Sequence, residues 1–198
     1  LTSLLSLGVH PFVTFFLGRS NMAVESLAVL PVVNSLVFIF RSIGLSFQEV
    51  NIALIGKQRQ NFTLLRNFAV YLGLIVTVLI TVIAFTPLAD LWFIDVSGLS
   101  KEMADLSYLP LQIMVLLPAL SVLLNFQRSL LVINGTTGPI SAATAVELTG
   151  IIAVLLVCVV FLDMTGVIAA SLAYVIGKGL STAYLYPKQS GVIKKWRL

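Results

Sequence analysis

Ionisable side chains occur here inside stretches that are otherwise apolar: His10, Arg41, Glu49, Glu147 and Lys178. A charge at the centre of a membrane helix costs roughly 2.5–3.5 kcal/mol, so such a group needs a partner or water. Residues seven apart share a helix face. Asn34, Arg41 and Gln48 recur at that interval, and Ser35, Ser42 and Glu49 form a parallel row beside them. Phe38, Leu45 and Ile52 lie elsewhere around the same helix. The result is one polar stripe, which must face neighbouring helices or a wet cavity. Ser171, Tyr174, Lys178 and Ser181 repeat the pattern in a later segment, as do Ser141, Thr144 and Glu147, and Ser121, Asn125 and Arg128.

Depth adds to spacing. At about 1.5 Å per residue, Glu147 and Lys178 each lie roughly 10–12 Å inside the nearer membrane boundary, with Arg41 level with them or slightly deeper. Three ionisable groups from three helices therefore share a layer. Two readings follow: they line a cavity, with Glu147 pairing with Arg41 or Lys178, or they form a buried ion pair that only fixes helix packing. Glu49 is nearer the boundary, where water reaches it. His10 has the chemistry of a proton carrier, and a hydrogen-bonded packing role suits it as well. Pro11, Pro31 and Pro118 fall within apolar segments, where the missing N–H kinks a helix. Broken helices accompany transporter binding sites, and membrane helices also tolerate proline without any such role.

The elements that hold these residues follow from composition. Of 198 residues, 59% are hydrophobic and 10% charged, against about 25% charged in a soluble domain. A water-soluble fold of this size has too much surface to hide that apolar content. The predicted class is all-α, an integral membrane bundle of six transmembrane helices. A crossing takes about 20 apolar residues. The predicted spans are Leu1–Leu17, Val24–Ile55, Phe68–Trp92, Leu106–Ile133, Ile140–Leu162 and Val167–Tyr186. The second exceeds one perpendicular crossing and must tilt, bend or project. Uniform runs such as GLIVTVLITVIAF lack the alternation of a barrel strand, and lipid admits no open sheet edge. Small residues in GVIAASLAYVIGKG permit close helix approach. Positions 1–187 thus read as the six-helix transmembrane lobe and 188–198 as a basic cytoplasmic tail.

Charge sets the orientation. Lys57, Arg59 and Arg66 flank the second connection, Arg128 precedes the fourth, and Lys188, Lys194, Lys195 and Arg197 lie at the end. The third connection carries Asp90, Asp95, Glu102 and Asp105 against Lys101, and the fifth carries Asp163. Basic and acidic connections alternate, and the basic ones belong in the cytoplasm. Both ends are then cytoplasmic, in a multi-pass protein of the cell (inner) membrane. Arg19 departs from this pattern, with Glu25 as its expected partner. Trp92 and Trp196 fall near the expected interfaces. The NFT at Asn61 and NGT at Asn134 match the glycosylation pattern, but on loops expected in the cytoplasm both are chance matches.

Several classes lack support. There is no phosphate-binding glycine loop, HExxH or GxSxG, and the chain has one His and one Cys, so no enzyme is expected. Cys158 alone forms no internal disulfide or thiolate metal cage, and no metal is expected. The +4 net charge is spread as topology signals, so no nucleic-acid partner is expected. No filter-like segment lies between helices, against a channel. A secondary transporter, a flippase for lipid-linked sugars and a noncatalytic structural subunit stay open.

The segment FFLGRSNMAVESLAVLPVVNSLVFIFRSIGLSFQEVNIALIGK resembles the multidrug and toxin extrusion group and its wider flippase superfamily, with their long second helix and a glycine before a basic loop. LPLQIMVLLPALSVLLNFQRSLLVINGTT and GVIAASLAYVIGKGL are similar to the fourth and last helices of a lobe of that family. The branch related to the ankylosis protein, linked to organic-anion and pyrophosphate export, is the most similar. The resemblance covers nearly the whole chain through degenerate motifs. It implies one lobe of a two-lobe transporter, the C-terminal one, whose partner is a missing N-terminal six-helix lobe of the same chain. Leu1, already inside an apolar segment, agrees with a piece of a longer protein. The resemblance also implies alternating access, coupled to a proton or sodium gradient, with no other cofactor. No acidic coupling residue of the family maps onto a position here. Arg41 and Lys178 depart from a cavity for cationic drugs and favour an anionic small-molecule substrate. The expected substrate- or ion-binding face is Asn34, Arg41, Gln48, Glu147 and Lys178, with Glu147 the candidate carrier of a coupling proton and membrane lipid as surroundings.

Overall fold

A computed structural model describes residues 2–55 and 61–196. Lys57, Arg59 and Arg197, which carry part of the orientation argument, lie outside the described residues. Every regular element among the described residues is helical. In chain order these are α1 (Thr2–Leu17), α2 (Ala23–Ile55), α3 (Phe62–Ala84), a short α4 (Leu88–Asp90) running into a π-helical stretch (Leu91–Val96), α5 (Lys101–Met114) and α6 (Leu117–Ile133). Then follow α7 (Gly138–Leu156), which ends in π-helical Val157–Phe161, and α8 (Gly166–Trp196). Helices satisfy each backbone N–H and C=O within one segment, as hydrocarbon demands.

Five helices are long and apolar enough to cross a membrane, as in a multi-pass membrane protein: α2, α3, α5 with α6, α7 with its π-helical end, and α8. The first expected span differs. α1 has 16 residues, about 24 Å at 1.5 Å each, which falls short of a hydrocarbon core about 30 Å thick.

Three other expectations are revised. The third span was expected to reach Trp92, but α3 stops at Ala84. Pro87 explains this, since the residue before a proline is pushed out of helical conformation. The fourth span begins earlier, at Lys101, where Ser100 accepts a hydrogen bond from the Met103 N–H. This helix is interrupted after Met114. Pro118 lies four residues on, and its ring collides with the carbonyl at that position. Pro11 and Pro31, by contrast, lie inside continuous helices. Finally, the last expected span ends at Tyr186, whereas α8 continues through Pro187 to Trp196.

Apolar side chains pack inward in three clusters. Val13, Val33, Met114, Ile151 and Ala173 belong to the largest, which joins α1, α2, α5, α7 and α8. Phe47, Val76 and Phe126 tie α3 and α6 to α2. Leu124, Ala143 and Leu185 close the space between α6, α7 and α8. The outer face of α3 is as apolar as its inner one: Val70, Tyr71 and Leu74 are each more than 60% exposed. Water does not tolerate such a continuous apolar face, whereas lipid does.

At one end the chain is clasped. Asn21 Nδ2 donates to the Asp163 carbonyl at 2.9 Å, and the Val167 N–H donates to Ser26 Oγ at 3.1 Å. The Gly166 N–H donates to the Asn21 carbonyl at 3.3 Å. A Cβ at Gly166 would strike Ser20 Oγ and press on the Cβ atoms of Ser20 and Ser26, so any larger residue would have to shift the clasp. The connections α1–α2 and α7–α8 therefore share one end of the bundle, as alternating crossings demand. At this end Arg19 places its guanidinium 4.2 Å from the centre of the Phe15 ring, a cation–π contact. The expected pairing of Arg19 with Glu25 is not among the ion pairs of the described residues. Trp92 donates from Nε1 to the Val32 carbonyl at 3.3 Å, which ties it to α2.

Candidate functional site

Two glycine crossings position the charged side chains. Where α7 meets α8, a Cβ on Gly177 would lie 2.6 Å from Ile151 Cγ1, and one on Gly150 would lie 2.8 Å from Leu180 Cδ1. At Gly177 the Glu147 carbonyl also stands 3.0 Å from that position, and this close approach brings Glu147 and Lys178 face to face. Glu147 Oε1 lies 2.6 Å from Lys178 Nζ, with both side chains under 15% exposed. Where α2 meets α6, a Cβ on Gly44 would lie 3.0 Å from the Val122 backbone nitrogen. One turn earlier on α2, Arg41 Nε donates to Ser121 Oγ at 3.2 Å.

Between these crossings lies a cavity of about 790 Å³, walled by α1, α2, α6, α7 and α8. Asn34, Arg41, Glu147 and Lys178 all line it. The shared layer expected from spacing and depth is therefore a shared cavity, with the Glu147–Lys178 pair in its wall. Gln48 does not line it and is a correction to the expected face. One heptad carries Gln48 about 10 Å further along α2 than Arg41, past the cavity. His10 lines the cavity from α1, and Ser35 lines it while donating to its own helix at the Val32 carbonyl. Glu49 is exposed.

Arg128, Thr144 and Tyr174 join the expected residues. Arg128 Nη2 donates to Thr144 Oγ1 at 3.3 Å and reaches Glu147 Oε2 at 4.0 Å. Its Nε is buried without a hydrogen-bond partner. The Tyr174 hydroxyl is buried and makes no hydrogen bond of regular geometry, although Asn34 and Arg41 are its polar neighbours. Sequence reading treats Arg128 as a topology charge near a helix end. The signal that places it inward is its position one heptad after Ser121 on the stripe that also holds Asn125.

The charge balance is one-sided. Among the described residues, Arg41, Arg128 and Lys178 face the single carboxylate of Glu147, which leaves an excess of two positive charges. Arginine stays charged even when buried. The cavity wall thus carries net positive charge, with hydroxyl and amide groups from Ser35, Asn34 and Thr144 beside the cations. Comparison with family models, with curated proteins and with solved structures finds no match to this chain.

Proposed function

We propose that this chain is a six-helix lobe of a secondary transporter of the multidrug-and-toxin-extrusion type, which moves a small organic anion by alternating access. In this reading α1 is the sixth crossing, both ends are cytoplasmic, and a second lobe faces the cavity. The observation that carries it is the meeting of Arg41, Arg128 and Lys178 with Glu147 in a cavity of about 790 Å³ inside an apolar helical bundle. Intramembrane charges are costly enough that they mark substrate and ion pathways. A scaffold gains nothing from an uncompensated positive excess.

The test is flux of labelled organic anions into vesicles containing the full-length protein. Arg41→Ala and Glu147→Gln are expected to reduce uptake at least tenfold. Unchanged uptake in both would remove the cavity from the mechanism.

A flippase for a lipid-linked anion is the second reading, favoured by Leu27, Phe38 and Leu45 in the cavity wall, all at least 38% exposed. Leaflet exchange of a lipid-linked substrate, without flux of water-soluble anions, would select it.

A further inference from the structure

The three cations around the cavity are unequally satisfied. Lys178 has a carboxylate oxygen at 2.6 Å. Arg128 has the same carboxylate at 4.0 Å, a neutral hydroxyl at 3.3 Å and a buried Nε with no acceptor. Arg41 donates from its Nε to the neutral hydroxyl of Ser121. A guanidinium offers five N–H donors and binds carboxylate or phosphate through paired hydrogen bonds. Hydroxyl groups leave that capacity largely unused. The unmet demand for acceptor oxygens therefore lies at Arg41 and Arg128, while Glu147 already meets the demand of Lys178.

We infer that Glu147 is a tethered competitor of the substrate, its carboxylate holding part of the anion site while the cavity is empty. This rests on reading the cavity as an anion site. An entering anion first meets Arg41 and the free edge of Arg128, and full occupancy requires Glu147 to yield Arg128 and Lys178. The carboxylate then stays within reach and displaces the anion again, so affinity is held down and release is quickened. The other polar groups that line the cavity are His10 and Thr14 on α1, Asn34 and Ser35 on α2, Thr144 on α7 and Tyr174 on α8. Among the described residues, no second carboxylate lines the cavity to take over the task. A purely structural ion pair behaves differently, because removing one partner of a buried pair costs stability and improves no binding site.

The test uses isothermal titration of the purified full-length protein with inorganic phosphate at fixed ionic strength. Glu147→Gln is expected to bind phosphate at least tenfold more tightly than the parent, and adding Lys178→Gln should abolish that gain. Glu147→Asp, whose carboxylate is one methylene shorter and reaches Lys178 less well, should gain at least threefold, and it decides the matter if the Gln variant does not fold. Equal or weaker binding by the Gln variant, or no phosphate binding by any of the proteins, overturns the inference. Because binding is read without flux, a tenfold gain in a protein that transports nothing removes the transport reading alone. Transport that persists with no gain in the Gln variant removes the competitor alone.

Discussion

The backbone carbonyl of Glu147 lies 3.0 Å from the place a Cβ on Gly177 would occupy, while the Glu147 carboxylate lies 2.6 Å from the ammonium of the next residue, Lys178. Helix packing and charge pairing are thus set at one point. The closeness of α7 and α8 determines whether the pair forms.

Gly177→Leu should therefore force the two helices apart. The expected cost is about 1–3 kcal/mol, as for overpacking elsewhere, together with loss of the Glu147–Lys178 contact. Gly179, two residues on, has open space where its Cβ would stand. Gly179→Ala should instead stabilise the helix by about 0.5–1 kcal/mol. Thermal unfolding of both variants in detergent checks the contrast. Equal effects would show that the crossing does not set helix spacing.

Asn51 is fully buried on α2, and neither its Nδ2 nor its Oδ1 has a hydrogen-bond partner. An unsatisfied buried polar group costs about 1–3 kcal/mol. Asn51→Leu, which keeps the side chain's branching without its polar atoms, should recover a good part of that and raise the unfolding temperature. A lowered temperature would mean that the amide has a partner in the assembled protein, such as water or a second lobe.

Arg128 has no charged partner at hydrogen-bonding distance, whereas Lys178 has one. Arg128→Gln should therefore weaken anion binding more than Lys178→Gln does, by about tenfold or more, the scale of losing a buried charge contact. Titrating both variants with the same anion gives the ranking, and the reverse order would place the ligand against Lys178.

Cys158 is buried and is the chain's single cysteine, so introduced cysteines report topology cleanly. In a Cys158→Ala background, Glu102→Cys should react with an impermeant maleimide from outside intact cells, and Asn61→Cys only after permeabilisation. Both positions are exposed. Labelling of Asn61→Cys from outside would invert the orientation.

Much of this architecture is legible in the sequence, because lipid leaves few choices. Apolar runs punctuated by GRSN, NGTTGP and DMTG mark the ends of α1 and α6, the starts of α2 and α8 and the extent of α7 closely. Where the sequence misleads, the cause is local. The run from Asn67 to Ala89 carries no charge, so hydropathy extends the third span to Trp92, but Pro87 ends the regular helix geometrically. In the site, spacing of seven brings Asn34 and Arg41 to one cavity and fails for Gln48, because a shared face says nothing about where along the axis the cavity ends. Arg128 is obscured for the opposite reason. It lies near a helix end, where a positive charge is ordinary, and the stripe it shares with Ser121 and Asn125 does not say which neighbour it meets. The Gly44 crossing cannot be assigned from sequence, and the small residues of GVIAASLAYVIGKG announce a close approach without saying that Gly177 makes it while Gly179 faces open space.

The clasp between Asn21 and the Asp163–Val167 turn also bears on the order of assembly. The beginning of α2 is held by groups that the ribosome supplies some 140 residues later. Until α8 starts to emerge, the first two helices can insert into the bilayer but cannot be locked into their final arrangement. A truncation before Gly166 should therefore leave the early helices inserted yet loosely associated, with maturation of the bundle waiting on α8.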